Sequence, residues 1–480
     1  MRRRLTVNSF PTVRTALRLC AVLAIGSLSA CASIPQDRGF SQVQALAQAR
    51  GYADIAQPGD EPTGKLVDAI LAQGPLSADD AVRVALMGNP ALRASYARLG
   101  FSAADVHDAG RLSNPVLSGS MLFTGSSGDV NRYDYGVSQN FLGLLLLPAR
   151  SRLAKAEFER TQQEAGAAVI ELSGQVRVAY QRLVGARQIH GLREVVAAAA
   201  DASAELAQRF YDAGNIPELE LELNRAEAGQ AQADVVKASN DTLTARAELS
   251  RLIGLTADRN GWQVPDRLPA PVTQEDDPSQ LQALAQQGRL DLAAKRREVA
   301  LLEDSLGVTR SYRLLGDVDV GVQGERDTDG AHLLGPSVSI QLPLFNQGQG
   351  AVLRAQSRLE LGRAELRRME VEASTAIQLA QSRVVSSRAL AQRYTVEYIP
   401  LRERIVRHTQ ERANFMLVGP FELIRARQQE YDTYQKYIET VRDYWVARAE
   451  LEREVGTRLP SDSTPAGLQV PIAPSAGGQP

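Results

Sequence analysis

Two hydrophobic periods divide this chain. From Asp317 to Glu325 apolar residues recur at every second position, with Val318, Val320 and Val322 on one face and Asp317, Asp319, Gly321 and Gln323 on the other. From Pro336 to Leu344, Val338, Ile340 and Leu342 stand opposite Ser337, Ser339 and Gln341. Period two is the repeat of a β-strand, so both segments are predicted strands, joined by the charged, glycine-containing turn Arg326 to Leu333. Pro115 to Phe123 and Tyr133 to Phe141 repeat the pattern less cleanly around a Gly/Ser/Asp loop.

Elsewhere the apolar spacing is three and four. Ala351 to Glu397 holds no proline and a single glycine, Gly362. At ~1.5 Å per residue this predicts a helix of about 70 Å. Its stripe passes through Leu366, Met369, Ala373, Ile377, Ala380 and Val384, then Ala391, Tyr394, Tyr398, Leu401 and Ile405. The mean step of about 3.55 residues lies between a heptad and a straight helix, so supercoiling should be weak. Pro400 should kink the helix, since it lacks an amide donor. A second long helix is predicted from Pro148 to about Asp212, with Ala-rich contact positions.

The strands and helices recur as two copies of one unit. Arg246-Ala-Glu-Leu-Ser-Arg-Leu-Ile-Gly254 matches Arg448-Ala-Glu-Leu-Glu-Arg-Glu-Val-Gly456 at six of nine positions, at a fixed offset of 202. The same offset pairs Glu220 with Glu422, Leu221 with Leu423 and Arg225 with Arg427. Each copy reads helix, two strands, a long helix, a turn and another long helix. In the first turn, Gly214 suits a left-handed C-terminal cap and Pro217 the start of the next helix. In the second, Gly419-Pro420 makes the break. This gives repeat 1 at 76–255, a connector at 256–280 and repeat 2 at 281–456. A tether at 31–75, with one short helix near Ser41 to Arg50, and a disordered tail at 457–480 flank them.

Two-faced strands of about ten residues are the signature of a transmembrane β-barrel. Four cannot close a barrel, and an open edge is not tolerated in lipid, so the chain should oligomerise. A soluble four-stranded sheet and a lumen-free coiled-coil rod are the competing readings.

Composition narrows the function. The 480 residues carry a net charge of −2 and only 5% aromatics, the mix of long packed helices rather than a thick core. Basic and acidic residues are interleaved, which gives no nucleic-acid partner. The two cysteines, Cys20 and Cys31, both lie near the N-terminus, so no disulfide framework is expected downstream. His107, His190, His332 and His408 are scattered, and there is no HExxH, GxSxG, Walker A or dinucleotide fingerprint. No enzyme, cofactor or metal site is expected; an unrecognised site could lie only between Leu255 and Gln280. The first thirty residues hold five arginines and the apolar run Leu19 to Leu28, too short to span a bilayer and fitting a signal peptide at 1–30.

Three motifs resemble those of a known family. Leu76-Ser-Ala-Asp-Asp-Ala-Val-Arg-Val-Ala-Leu-Met-Gly-Asn-Pro90 resembles the opening of TolC-like outer-membrane efflux proteins. Pro343-Leu-Phe-Asn346, followed by Gly348 and Gly350, resembles that family's strand-to-helix passage. Leu28-Ser29-Ala30-Cys31 resembles a bacterial lipobox. The first copy departs from the second motif, having Gln139-Asn-Phe-Leu-Gly-Leu-Leu-Leu-Leu-Pro148 instead. The resemblance implies an α+β membrane protein: a trimeric, 12-stranded transmembrane β-barrel with four strands per chain, continued by a periplasmic α-helical barrel. It implies palmitate-type acylation at Cys31, an outer-membrane location, and a passive efflux role beside a periplasmic adaptor and an inner-membrane pump. It places the turns at Gly214, Pro217, Gly419 and Pro420 at the adaptor-docking tip, with Glu220 and Glu422 as candidate aperture gates. The alternative function is a non-conducting structural envelope lipoprotein.

Overall fold

The computed structural model describes residues 37–52, 55, 61–123, 131–256 and 261–463. Cys20, Cys31 and the signal segment lie outside the described residues. Eleven helices and four strands are described: α1 (Phe40–Gln48), α2 (Glu61–Ala72), α3 (Ala78–Gly88), α4 (Pro90–Ala109), β1 (Val116–Leu122), β2 (Arg132–Asn140), α5 (Phe141–Asp212), α6 (Glu218–Ile253), α7 (Pro278–Gly288), α8 (Leu290–Tyr312), β3 (Val318–Arg326), β4 (His332–Ile340), α9 (Gln349–Arg393), α10 (Ile399–Asn414) and α11 (Pro420–Val455). The chain divides into two compact units, one containing Gly100–Lys155 and Tyr312–Gly348, the other Gly39–Leu99, Ala156–Ser311 and the chain from Gln349 onward.

The first unit holds one antiparallel sheet in the order β1-β2-β3-β4. Val137 sits opposite Leu117 on β1 and Val322 on β3, and Val320 opposite Val338 on β4. β4 begins four residues before the Pro336 expected from alternation and ends at Ile340. At the first strand-to-helix junction there is no loop. The Asn140 Oδ1 accepts the Gly143 amide at 2.6 Å, a side-chain cap that starts α5 seven residues ahead of Pro148. Pro148 therefore lies inside the helix, where its missing donor removes one backbone hydrogen bond. In the second copy Gly348, at φ +77°, separates strand from helix, and Asn346 Oδ1 accepts its amide at 3.1 Å.

The second unit is helical and carries the main core. Ser77 caps α3 by accepting the Asp80 amide at 3.1 Å. Asn89 ends α3, and its Oδ1 accepts the Ala91 and Leu92 amides to start α4. Val84, Leu86, Leu183, Leu249, Ile253, Tyr437 and Val441 pack in one buried cluster. That cluster includes Val43 and Ala47 of α1, Tyr52, Ile55, and Val67 and Ile70 of α2, so these parts of the expected tether are core. Likewise Leu459 is buried and Ser461 bonds Asp276, so the first residues of the expected disordered tail are ordered.

Pro400 acts differently from a simple kink. Ile399 donates to the Tyr394 carbonyl across a π-helical turn, Tyr394–Tyr398, just before Pro400. A π turn adds one residue to the ladder and shifts the phase of everything beyond it. Ala373, Ile377, Ala380, Val384 and Ala391 are buried as expected, but Ile399 and Val406 are buried in place of Tyr398 and Ile405.

Candidate functional site

The sheet separates two chemistries. Register places Leu117, Met121, Tyr133, Tyr135, Val137, Val318, Val320, Val322, Leu334, Pro336, Val338 and Ile340 on one face. These residues are mostly solvent-accessible: Leu117 is 80% exposed, Val338 62% and Leu334 75%. The Tyr135 ring covers the position that a Cβ at Gly324 would take, filling a gap across strands. The opposite face carries Ser118, Ser120, Asp134, Ser138, Asn140, Asp319, Gln323, Glu325, Ser337 and Ser339, with the apolar Val116, Leu122 and Leu333 only toward its ends. There Arg132 pairs with Glu325 at 2.9 Å, Ser120 donates to Asp134 at 3.0 Å, and Asn140 donates to Asp319 at 3.3 Å. β1 and β4 are the sheet's two edges.

In the helical unit the two turns have the same backbone geometry. After α5, the Asn215 amide reaches the Phe210 carbonyl and the Gly214 amide the Tyr211 carbonyl, both at 2.8 Å. After α10, Leu417 reaches Arg412 and Met416 reaches Ala413, both at 2.9 Å. Each donor and acceptor is displaced by 202 residues. Gly214 takes the left-handed conformation at φ +74°, and its counterpart Met416 takes it at φ +58°. The left-handed residue in the second turn is thus Met416. Gly419 is the extended N-cap of α11, with Pro420 first in the helix, and Pro217 is the N-cap of α6. The offset of 202, applied from Gly214, was the signal that could have found Met416.

Phe210 and Phe421 pack edge to face at 6.0 Å, bringing the two turns together. A cleft of 290 Å³ beside them is lined by Pro217, Glu220, Glu227, Phe421, Arg425 and Gln428 among others. Gln428 donates to Glu227 at 3.2 Å across it. Glu220 is half-buried in this cleft, whereas Glu422 is exposed and is not among its lining residues. Phe415, Met416 and Leu417 are 77%, 93% and 67% exposed at the second turn.

The repeat is also visible where each copy closes on itself. The Asn89 Nδ2 donates to the Leu252 carbonyl at 2.7 Å, and Arg289 Nη1 to the Glu454 carbonyl at 3.1 Å. A Cβ on Gly88 would meet the Ile253 carbonyl, and one on Gly288 the Val455 carbonyl. Gly254 and Gly456 end α6 and α11 at φ +74° and +78°. About two turns earlier, Arg246 donates to the Trp262 carbonyl at 2.7 Å with its guanidinium 4.0 Å above the indole. Its counterpart Arg448 is 2% exposed and donates to Glu275 at 2.5 Å and to the Ser461 hydroxyl, while the Tyr444 hydroxyl donates to Glu275 at 2.6 Å. These arginines fasten the connector 261–277 to the bundle, with Trp262, Val264, Leu268 and Val272 buried.

Residues 81–255 match the family described as outer membrane efflux protein. That match lies within the first repeat. Over 335 residues the chain is 25% identical to the cobalt-zinc-cadmium resistance protein CzcC of Cupriavidus metallidurans, covering 68% of this chain and 78% of that protein. Its fold is that of the outer-membrane channel OprN, with a TM-score of 0.67 and 18% identity over 86% of this chain and 95% of the other. The outer membrane protein VceC from Vibrio cholerae matches with a TM-score of 0.65 and 15% identity, over 79% and 96%. The family that residues 81–255 resemble is one of outer-membrane efflux ducts rather than of enzymes. The four strands and long helices per chain agree with the expected fold. Among the described residues no group of three or more His, Cys, Asp or Glu could hold a metal ion.

Proposed function

We propose that three chains share one twelve-stranded barrel and form a passive exit duct that performs no chemistry of its own. The observation that carries this is the sheet: one apolar face left exposed, one polar face, and two edges whose backbone groups need strands from elsewhere. Bilayer and lumen are the two solvents that such faces suit, and closure removes the edges. A soluble rod would leave the apolar face in water, which disfavours the structural-lipoprotein reading.

The polar face would line the lumen. Asp134, Asp319 and Glu325 outnumber Arg132 there, which favours cations. With the relation to a cobalt-zinc-cadmium resistance protein, this supports divalent metal ions as cargo, with small molecules as the wider class. Acylation at Cys31 would add a membrane anchor. Energy would come from an inner-membrane pump through a periplasmic adaptor docked at the turns of Gly214, Pro217, Gly419 and Pro420. Glu220 and Glu422, repeated threefold, would converge acids near the aperture; neither has an ion-pair partner among the described residues that would neutralise it.

Single-channel recording of purified protein in planar bilayers tests the duct. Discrete, cation-selective conductance is expected, with selectivity reduced in Glu220→Gln/Glu422→Gln. Electrically silent bilayers would contradict the duct, and unchanged selectivity in the double variant would remove the gate assignment.

A further inference from the structure

The apolar face of the sheet carries its ionisable side chains at one end. On β3 that face reads Val318, Val320, Val322, Gly324 and then Arg326, which register sets between Tyr133 on β2 and His332 on β4. This row closes the sheet at the end where both hairpins turn. The eight-residue step from Val318 to Arg326 spans about 26 Å along the strand, or about 20 Å of height at the tilt of a membrane-barrel strand, most of the ~25 Å apolar band. The row therefore stands at the rim of the band, at headgroup depth.

Among the described residues, the nearby acids are engaged elsewhere. Glu325 points to the other face and pairs with Arg132 at 2.9 Å. Asp327 accepts the Thr328 amide at 2.7 Å, and Asp329 accepts the Ala331 amide at 2.8 Å, both within the turn. The Arg326 Nε is enclosed yet has no hydrogen-bond acceptor among the described residues. A guanidinium at a water-poor rim requires an anionic acceptor, and phosphate matches its planar donors two at a time.

We propose that the Tyr133–Arg326–His332 row is a docking surface for the phosphate-bearing headgroup of a membrane lipid, in the leaflet facing the hairpin ends. Arg326 binds the phosphate, His332 adds a second donor, and the Tyr133 ring lies against the headgroup–acyl boundary. This rests on the barrel reading above. It goes beyond that reading in assigning a lipid chemistry to three residues.

The test uses the full-length acylated protein in detergent, titrated with a diphosphorylated glycolipid, the same glycolipid stripped of phosphate, or inorganic phosphate, with bound lipid read by native mass spectrometry. The phosphorylated lipid should be retained about tenfold more tightly than the stripped one, the scale of one charged hydrogen-bonded contact. R326Q should abolish the preference, R326K should keep part of it, and millimolar inorganic phosphate should not compete. Conductance confirms that each variant is assembled. A conducting protein with no phosphate preference, or R326Q retaining the preference, overturns the inference and leaves the duct standing. Competition by inorganic phosphate also overturns it, by showing a small-anion site. A protein that never conducts removes the barrel on which it rests.

Discussion

The helices that return from the two turns, α6 and α11, are each 36 residues long and end on equivalent left-handed glycines, yet they are buried very differently. α6 buries eight residues, several of them alanine, and α11 buries fourteen, including Tyr431, Tyr434, Tyr437 and Tyr444. At the offset of 202, Ile438 is 5% exposed where Val236 is 71% exposed. Leu219, Leu223 and Leu243 are also more than half exposed on α6. The duplicated backbone has thus been given two roles. α11 anchors the core of its own chain, while α6 keeps an apolar face uncovered within one chain. On the proposed reading that face meets a second protomer.

The largest expected effect separates the two helices directly. Tyr437→Ala should cost ~3–5 kcal/mol, because it empties a fully buried ring. Val235→Ala, the equivalent change on α6, should cost under about 1 kcal/mol, because that side chain is only partly buried. Equal losses in chemical denaturation would break the comparison.

Alkaline pH should sharpen it. Burial pushes the phenols of Tyr434 and Tyr444 well up, helped by their hydrogen bonds to Glu403 and Glu275, and raises Tyr437 to about 12. A raised native pKa means that the unfolded chain releases these protons first. Their stabilisation is complete below the ordinary tyrosine value of about 10 and is lost as pH rises through the native values. α6 contains no tyrosine. Hydrogen exchange between pH 9 and 11 should show protection falling around α11 ahead of α6; simultaneous loss would contradict the assignment.

The smallest effect lies in the turns. Met416 holds a left-handed backbone that its counterpart Gly214 takes freely. Met416→Gly should therefore stabilise by up to about 1 kcal/mol, and Gly214→Ala should destabilise by about as much. Thermal melts of the two variants should shift in opposite directions.

The sheet was the most legible part of the chain, because alternation of Val318, Val320 and Val322 with acids and glycines permits one backbone period only. The strand partners and the polar network of Arg132, Asp134 and Glu325 follow from register, which alternation alone does not reveal. The turns were half legible. Glycine advertises a left-handed position, but Met416 does not, and only the repeat points to it. The phase slip after Tyr394 was hidden for a related reason: Pro400 marks where the ladder is interrupted, but not that an added residue would replace Ile405 by Val406 in the core. The N-terminal segment was misleading because α1 and α2 are short. Val43, Ala47, Tyr52, Val67 and Ile70 each fill a place in the core without forming a sustained stripe. The junction at Asn140 was hidden by Pro148, which reads as a helix start although a side-chain cap seven residues earlier supplies it.

The central claim is that these four strands are one third of a wall. Electron microscopy of the detergent-solubilised full-length protein measures this directly. A threefold cylinder with a detergent belt around twelve strands is expected. A monomeric particle, or a rod without a continuous lumen, would contradict it.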